Sequence, residues 1–132
     1  MTHFNSVYIV DDDVVFHLIM KKLFQKTNLK LSTNYFVNGL EALEKLKSKT
    51  SETDEIPDLI LLDINMPICD GWQFLEEFKN ISESIKNRIK IYLISSSDNK
   101  EDISKSEHYK GIIDKYYFKP MTVQNFQSIF VE

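Results

Sequence analysis

Short apolar runs alternate with amphipathic segments of helical length along this chain, and this alternation restricts the possible folds more than any other feature. Five runs of strand length are predicted, at residues 7–10, 33–37, 58–63, 90–95 and 114–118. The segments that follow them place apolar side chains at helical spacing, as Val15, Ile19 and Leu23 do after the first run. Strands that are separated by helices form a parallel sheet with helices on both faces. The sequence therefore predicts an α/β fold with a doubly wound, five-stranded parallel sheet.

The composition is that of an ordinary globular protein and excludes several functional classes. Its 132 residues, with 42% hydrophobic and 27% charged side chains, indicate one domain, which we expect to cover residues 1–132 with no output domain. The net charge of −4 and the lack of a basic stripe argue against direct binding to nucleic acid. No apolar run approaches the roughly 18 residues of a membrane span, and no signal peptide is evident. We therefore expect a cytoplasmic protein that does not contact the membrane.

Polar and charged side chains stand where the predicted strands end. Asp11 and Asp12 follow the first strand, Asp63 ends the third and Ser95 ends the fourth. Lys119 comes just after the fifth strand. Ligands of open parallel sheets bind outside the carboxyl ends of the strands, so we expect these side chains to converge there.

Three carboxylates in such a group need compensation. At about 5 Å and an effective dielectric constant near 20, each pair repels by about 3 kcal/mol. Either one carboxyl group stays protonated or a cation lies among them. Oxygen ligands of this kind suit Mg²⁺. An aspartate beside Mg²⁺ and Lys119 is also suited to nucleophilic attack on phosphorus.

Four stretches of the sequence resemble the response-regulator receiver domain of two-component signalling. They are VDDD at 10–13, LLDINMPICDGW at 61–72, ISS at 94–96 and YYFKP at 116–120. Their order and spacing match the family over residues 5–130. The resemblance implies a flavodoxin-like fold with strand order 2-1-3-4-5.

The resemblance also implies a role for each residue at the predicted site. It makes Asp63 the phosphoacceptor, Asp12 a direct Mg²⁺ ligand and Asp11 a residue that acts on the metal mainly through water. The backbone carbonyl of Asn65 would be a third protein ligand of the metal. Lys119 would contact the phosphoryl group.

Further residues are implied in the conformational switch. Ser95, where the family more often has threonine, would supply the switch hydroxyl, and Tyr116 would be the aromatic residue whose rotamer follows it. Ser96 and Ser97 would neighbour the phosphoryl group in the next loop. Ser97 and Asn65, each two residues past a site residue, would tune the loss of that group. The Lys119–Pro120 bond is usually cis in such proteins.

These roles imply a phosphoacceptor response regulator in a two-component or phosphorelay pathway. A phosphohistidine on a sensor histidine kinase or a histidine phosphotransfer protein would donate to Asp63. The chain would promote its own phosphorylation and dephosphorylation without being a turnover enzyme. Phosphorylation would change the face formed by the helix at 99–107, the strand at 114–118 and the last helix, for a separate downstream protein to read. We expect a monomer or a weak dimer.

Other functions are weighed against this one. A haloacid-dehalogenase-like aspartyl phosphatase would need a second aspartate where Asn65 stands. A nucleotide-binding domain would need a glycine-rich loop, and the three glycines form no such pattern. A receiver-shaped binding module that is never phosphorylated is disfavoured by the intact set of Asp12, Asp63 and Lys119.

Several residues near these motifs have a structural interpretation. Asp13 and Asp70 are predicted to cap helices. His3, His17 and His108 are scattered, so we interpret them as surface or boundary residues and not as ligands.

Overall fold

The computed structural model describes residues 4–49, 55–96 and 100–131. The strands are β1 (Ser6–Val10), β2 (Ser32–Phe36), β3 (Leu59–Asp63), β4 (Lys90–Ser95) and β5 (Ile113–Phe118). The helices are α1 (Val14–Thr27), α2 (Gly39–Lys47), α3 (Gly71–Phe78), α4 (Glu83–Lys86), α5 (Lys100–His108) and α6 (Val123–Phe130). All strands pair in parallel in the order β2-β1-β3-β4-β5. The predicted fold class and strand order are confirmed.

The two faces of the sheet bury separate hydrophobic clusters. In β1, Val7 and Ile9 face one cluster, while Tyr8 and Val10 face the other. The first cluster is covered by side chains of α1 and α6, and the second by side chains of α2 and α3. Because β1 and β3 are buried on both faces, residues 7–10 and 59–62 are continuously apolar instead of alternating. The charged residues at the carboxyl ends of these strands, Asp11 and Asp63, therefore follow segments that are packed on both faces.

Two helices begin at the aspartates that were predicted to cap them. The Asp13 carboxylate accepts a hydrogen bond from the Val15 amide at 2.9 Å. Asp70 and Gln73 form a reciprocal capping box, with hydrogen bonds of 2.9 and 3.0 Å. Within the described ranges, none of the helices is both long and apolar enough to cross a membrane.

The element boundaries differ from prediction in a few places. The helix α4 was not predicted, because its four residues contain a single buried side chain, Ile85, and so show no periodicity. The apolar stripe of Phe74, Leu75, Phe78 and Ile81 predicts a helix that extends to Ile81, whereas α3 ends at Phe78. β2 begins and ends one residue earlier than predicted. Its predicted end lies at Val37 because that residue is apolar, but Val37 is 46% exposed.

Candidate functional site

Three carboxylates meet at the carboxyl edge of the sheet. One oxygen each from Asp11, Asp12 and Asp63 lies within 4.8 Å of the others, and we call this group the acidic cluster. Val10 pairs with Leu62 across β1 and β3, which brings the residues that follow them side by side. Asp11 is 1% exposed and Asp63 5% exposed, whereas Asp12 is open to solvent. Two of the three charges are thus largely removed from water.

Lys119 places one cation in the acidic cluster. Its Nζ atom lies 2.7 Å from Asp11 Oδ2 and 3.8 Å from Asp63 Oδ1. Its amide donates a hydrogen bond of 2.8 Å to the carbonyl of Ser95, and the Lys119–Pro120 bond is cis. The ammonium group also lies 4.9 Å from the centre of the Phe16 ring. The lysine is therefore fixed between the ends of β1, β3 and β4.

One lysine does not compensate these carboxylates. Burial, and then repulsion from Asp11, raise the pKa of the Asp63 carboxyl group from 3.8 to about 7, although Lys119 acts to lower it. Asp11 Oδ2 is buried and, apart from its ion pair with Lys119, has no aligned hydrogen-bond donor among the described residues. Buried carboxylate oxygens that lack donors fit a hard divalent cation such as Mg²⁺. The donor set of the acidic cluster therefore suits Mg²⁺.

The backbone around Asp11 is held on several sides. Its amide donates to the carbonyl of Phe36 at 2.9 Å, and its Oδ1 accepts from the amide of Asp13 at 2.9 Å. Its carbonyl lies 2.6 Å from Nε2 of His17. His17 is only 6% exposed, so its prediction as a surface or boundary residue was wrong. Its burial could have been predicted from its spacing of three residues from Met20, which lies on the buried stripe of α1.

Ser95 and Tyr116 lie close together inside the protein. Ser95 is fully buried at the end of β4, and the Tyr116 hydroxyl is buried without an aligned hydrogen bond. Burial raises the pKa of the Tyr116 phenol, and the neighbouring Ser95 hydroxyl acts in the opposite direction. The two side chains that were predicted to move together are thus neighbours.

Two other predicted site residues, Asn65 and Ser96, are exposed. Asn65 lies two residues after Asp63, and Ser96 lies directly after β4. Ser97 lies outside the described residues, and so does His3 among the histidines. Metal binding by the Asn65 carbonyl and contacts of the two serines with a phosphoryl group stay predictions.

The loop after Asp63 has a geometry that the sequence did not reveal. Ile68 has a φ of 70°, and the Cys69 amide donates to the carbonyl of Pro67 at 2.7 Å, which together form a strained γ-turn. A Cβ atom on Gly71 would lie 2.8 Å from the carbonyl oxygen of Asp63. Glycine at position 71 therefore lets α3 begin directly against the end of β3.

Comparisons with known proteins agree with this geometry. The model of the response regulator receiver domain matches residues 7–130. The DNA-binding transcriptional regulator NtrC of Escherichia coli K12 is 31% identical over 117 residues, which cover 89% of this chain and 22% of that protein. Sporulation initiation phosphotransferase F of Bacillus subtilis 168 is 35% identical over 81 residues, which cover 61% of this chain and 59% of that protein. The chain thus spans less than two thirds of the length of both relatives.

A solved structure extends the similarity to three dimensions. The two-component response regulator from Cytophaga hutchinsonii superimposes with a TM-score of 0.80 and 28% sequence identity. The superposition covers 96% of this chain and 93% of that one. The order of the strands, the acidic cluster and the family match over residues 7–130 lead to one conclusion. This chain belongs to the response regulator receiver domain family.

Proposed function

We propose that this chain accepts a phosphoryl group on Asp63 from a phosphohistidine of a sensor histidine kinase or a histidine phosphotransfer protein. An Asp63 oxygen attacks the phosphorus atom, a P–O bond forms, the P–N bond breaks, and the departing imidazole nitrogen takes up a proton. The observation that carries this proposal is a buried aspartate that shares the sheet edge with two carboxylates and a lysine. The printed name of the Bacillus relative, a sporulation initiation phosphotransferase, supports a role in phosphoryl transfer.

The residues around Asp63 have distinct roles in this reaction. Asp11, Asp12 and the Asn65 carbonyl, together with Asp63, would hold Mg²⁺. When bound, that ion neutralises the carboxylates and offers positions for phosphoryl oxygens. Lys119 supplies a fixed positive charge for another phosphoryl oxygen, since its Nζ lies 3.8 Å from Asp63 Oδ1.

The conformational effect of phosphorylation then reaches the surface through Ser95 and Tyr116. The Ser95 hydroxyl donates to the phosphoryl group, Ser96 and Ser97 move with it, and the ring of Tyr116 follows. This is a shift between two populated states, and its size depends on how differently the phosphoryl group contacts them. A separate downstream protein reads the face of α5, β5 and α6.

The chain acts in this scheme as a switch and not as a turnover enzyme. Its own residues promote the gain and loss of the phosphoryl group, while the histidine partner supplies the group. We propose a cytoplasmic location and a monomer or weak dimer. The single cysteine, Cys69, is buried and cannot form an internal disulfide, in keeping with a reducing compartment.

Phosphorylation by a small donor tests the proposal directly. With acetyl phosphate and Mg²⁺, intact-mass measurement should find one acid-labile phosphoryl group on the wild-type chain and none on Asp63→Asn. Asp13→Asn is the matched control, because Asp13 belongs to the same acidic run but caps α1 and lies outside the acidic cluster. It should be labelled like the wild type.

Two results would contradict the proposal. Labelling of Asp63→Asn on another residue would mean that the phosphoacceptor is wrongly assigned. A folded wild-type chain that no phosphohistidine, acetyl phosphate or phosphoramidate can label would exclude the function itself.

A further inference from the structure

His17 is a buried polar residue beside the acidic cluster, and the proposed reaction leaves it without a role. Its Nε2 lies 2.6 Å from the carbonyl oxygen of Asp11. A carbonyl oxygen only accepts hydrogen bonds, so Nε2 carries the hydrogen and donates it. The Asp11 carbonyl thereby has a partner beyond the end of β1, where the ladder of the sheet no longer supplies one.

The imidazole ring is itself held in place by β2. It meets the Tyr35 ring edge-on, with centroids 5.2 Å apart and an interplanar angle of 80°. The next residue of β2, Phe36, accepts the hydrogen bond from the Asp11 amide. Adjacent residues of one strand therefore hold Asp11 from both sides, directly at its amide and through His17 at its carbonyl.

The second ring nitrogen of His17, Nδ1, makes no hydrogen bond comparable to that of Nε2 within the described part of the chain. Nδ1 is buried and has no hydrogen-bond partner among the described residues. A buried polar atom without a partner is unfavourable, so an apolar side chain would fill this space at a lower desolvation cost. What a histidine adds at this position is the donor at Nε2, aimed at Asp11.

This contact bears on the one exposed member of the acidic cluster. The Asp11 carbonyl belongs to the peptide group that joins Asp11 to Asp12, so its orientation sets the direction in which Asp12 leaves the strand. No hydrogen bond from another described residue holds the Asp12 side chain. The position of that carboxylate therefore depends on the backbone that His17 fixes.

We infer that His17 is a positioning residue for the metal site: its Nε2–H group orients the Asp11–Asp12 peptide and thereby the carboxylate of Asp12. This inference rests on the proposed function, because it gives His17 a role toward the Mg²⁺ that the acidic cluster would hold. A residue that only satisfied a buried carbonyl would affect stability alone. A positioning residue also affects metal affinity.

Calorimetric titration with Mg²⁺ separates these two roles. His17→Phe keeps an aromatic ring against Tyr35 but lacks the donor, and we expect it to bind Mg²⁺ about tenfold more weakly, as is typical when a residue that orients a ligand is lost. His17→Gln keeps a donor of similar reach and should recover the wild-type affinity to within about twofold. Ile129→Val is the matched control: it destabilises a core position, 2% exposed, on α6, and should leave the affinity unchanged.

A further variant keeps the test decisive if His17→Phe does not fold. Tyr35→Leu preserves the hydrogen bond but removes the ring that holds the imidazole, and should weaken Mg²⁺ binding about two- to threefold. Urea denaturation of each variant measures stability separately. The amide NMR signals of Asp12 and Asp13 should shift in His17→Phe and return in His17→Gln.

The outcomes distinguish the inference from the proposed function. Wild-type affinity in His17→Phe or Tyr35→Leu, with a lowered urea midpoint, would overturn the inference alone and leave His17 a structural residue. Weak binding by His17→Gln equal to that of His17→Phe would also overturn it, because the donor would not be what matters. A wild-type chain that binds no Mg²⁺ would overturn both.

Discussion

Replacing Asp63 with asparagine should stabilise the metal-free protein, and more so at high pH than at low pH. Burial and repulsion from Asp11 raise the pKa of the Asp63 carboxyl group from 3.8 to about 7 in the folded protein. Between these values the folded chain retains a proton that the unfolded chain has lost, so stability falls by about 1.4 kcal/mol per pH unit. The penalty is absent below about pH 4, grows as the pH rises, and is complete above about pH 7.

The size of the effect follows from the same two pKa values. A gap of about three pH units corresponds to at most about 4 kcal/mol at pH 8, of which about 3 kcal/mol develops between pH 5 and pH 8. The attraction of Lys119 is already contained in the raised pKa of Asp63. Water entry and movement of the exposed Asp12 side chain reduce the penalty, so these figures are upper bounds. We expect at least half of each.

Urea denaturation in EDTA at pH 5 and pH 8 measures this difference. The stability advantage of Asp63→Asn over the wild type should grow by about 1–3 kcal/mol between the two pH values. Asp13→Asn, in which asparagine still caps α1, should differ from the wild type by a similar small amount at both. Saturating Mg²⁺ at pH 8 should stabilise the wild type more than Asp63→Asn. An advantage that is equal at both pH values, or an Asp63→Asn chain that is less stable at pH 8, would refute this reasoning.

Three further predictions test other parts of the site. Lys119→Met removes the cation from the acidic cluster but none of the carboxylates. Calorimetry should therefore find Mg²⁺ binding retained, while labelling by acetyl phosphate should slow at least about tenfold. Equal loss of Mg²⁺ binding and of labelling would contradict the role of Lys119. Beryllofluoride, which mimics an aspartyl phosphate, should change the fluorescence of Trp72 only when Mg²⁺ is present. Trp72 is a suitable reporter because its ring stacks at 5.7 Å on that of Tyr109, just beyond α5. A change of fluorescence without Mg²⁺ would show that the signal does not come from the site. Asp70→Ala should lower the free energy of unfolding, measured by urea denaturation, by about 1 kcal/mol, and Asp70→Asn should lower it much less. Labelling by acetyl phosphate should be unchanged in both variants. Slower labelling would show that Asp70 does more than cap α3.

The sheet and the convergence of charges were accessible from the sequence because both follow from local patterns. Residues 7–10 of β1 and 59–62 of β3 are continuously apolar, as is typical of strands buried on both faces. In a parallel sheet, the residue at which an apolar run ends is also the residue at the ligand-binding edge. That rule placed Asp11, Asp63 and Lys119 together without any knowledge of their distances.

The features that escaped prediction depend on contacts or conformations that no local pattern encodes. The hydrogen bond from His17 to the Asp11 carbonyl depends on the path of the backbone after β1. The positive φ of Ile68 is contrary to the preference of a β-branched residue, so its sequence argues against the observed turn. The stack of Trp72, in α3, on Tyr109, just after α5, joins residues that are distant in sequence.

The electrostatic cost of the acidic cluster also explains why a metal ion, and not simply a proton, suits its chemistry. A proton on Asp63 relieves the repulsion from Asp11, but it removes the lone-pair charge that an attack on phosphorus requires. Lys119 relieves part of the repulsion without placing a proton on Asp63, yet the pKa of Asp63 still lies near 7. A divalent cation among the three carboxylates would lower that pKa further and keep Asp63 nucleophilic at neutral pH. Protons and Mg²⁺ must therefore compete for the cluster, and the apparent Mg²⁺ affinity should fall as the pH drops below about 7.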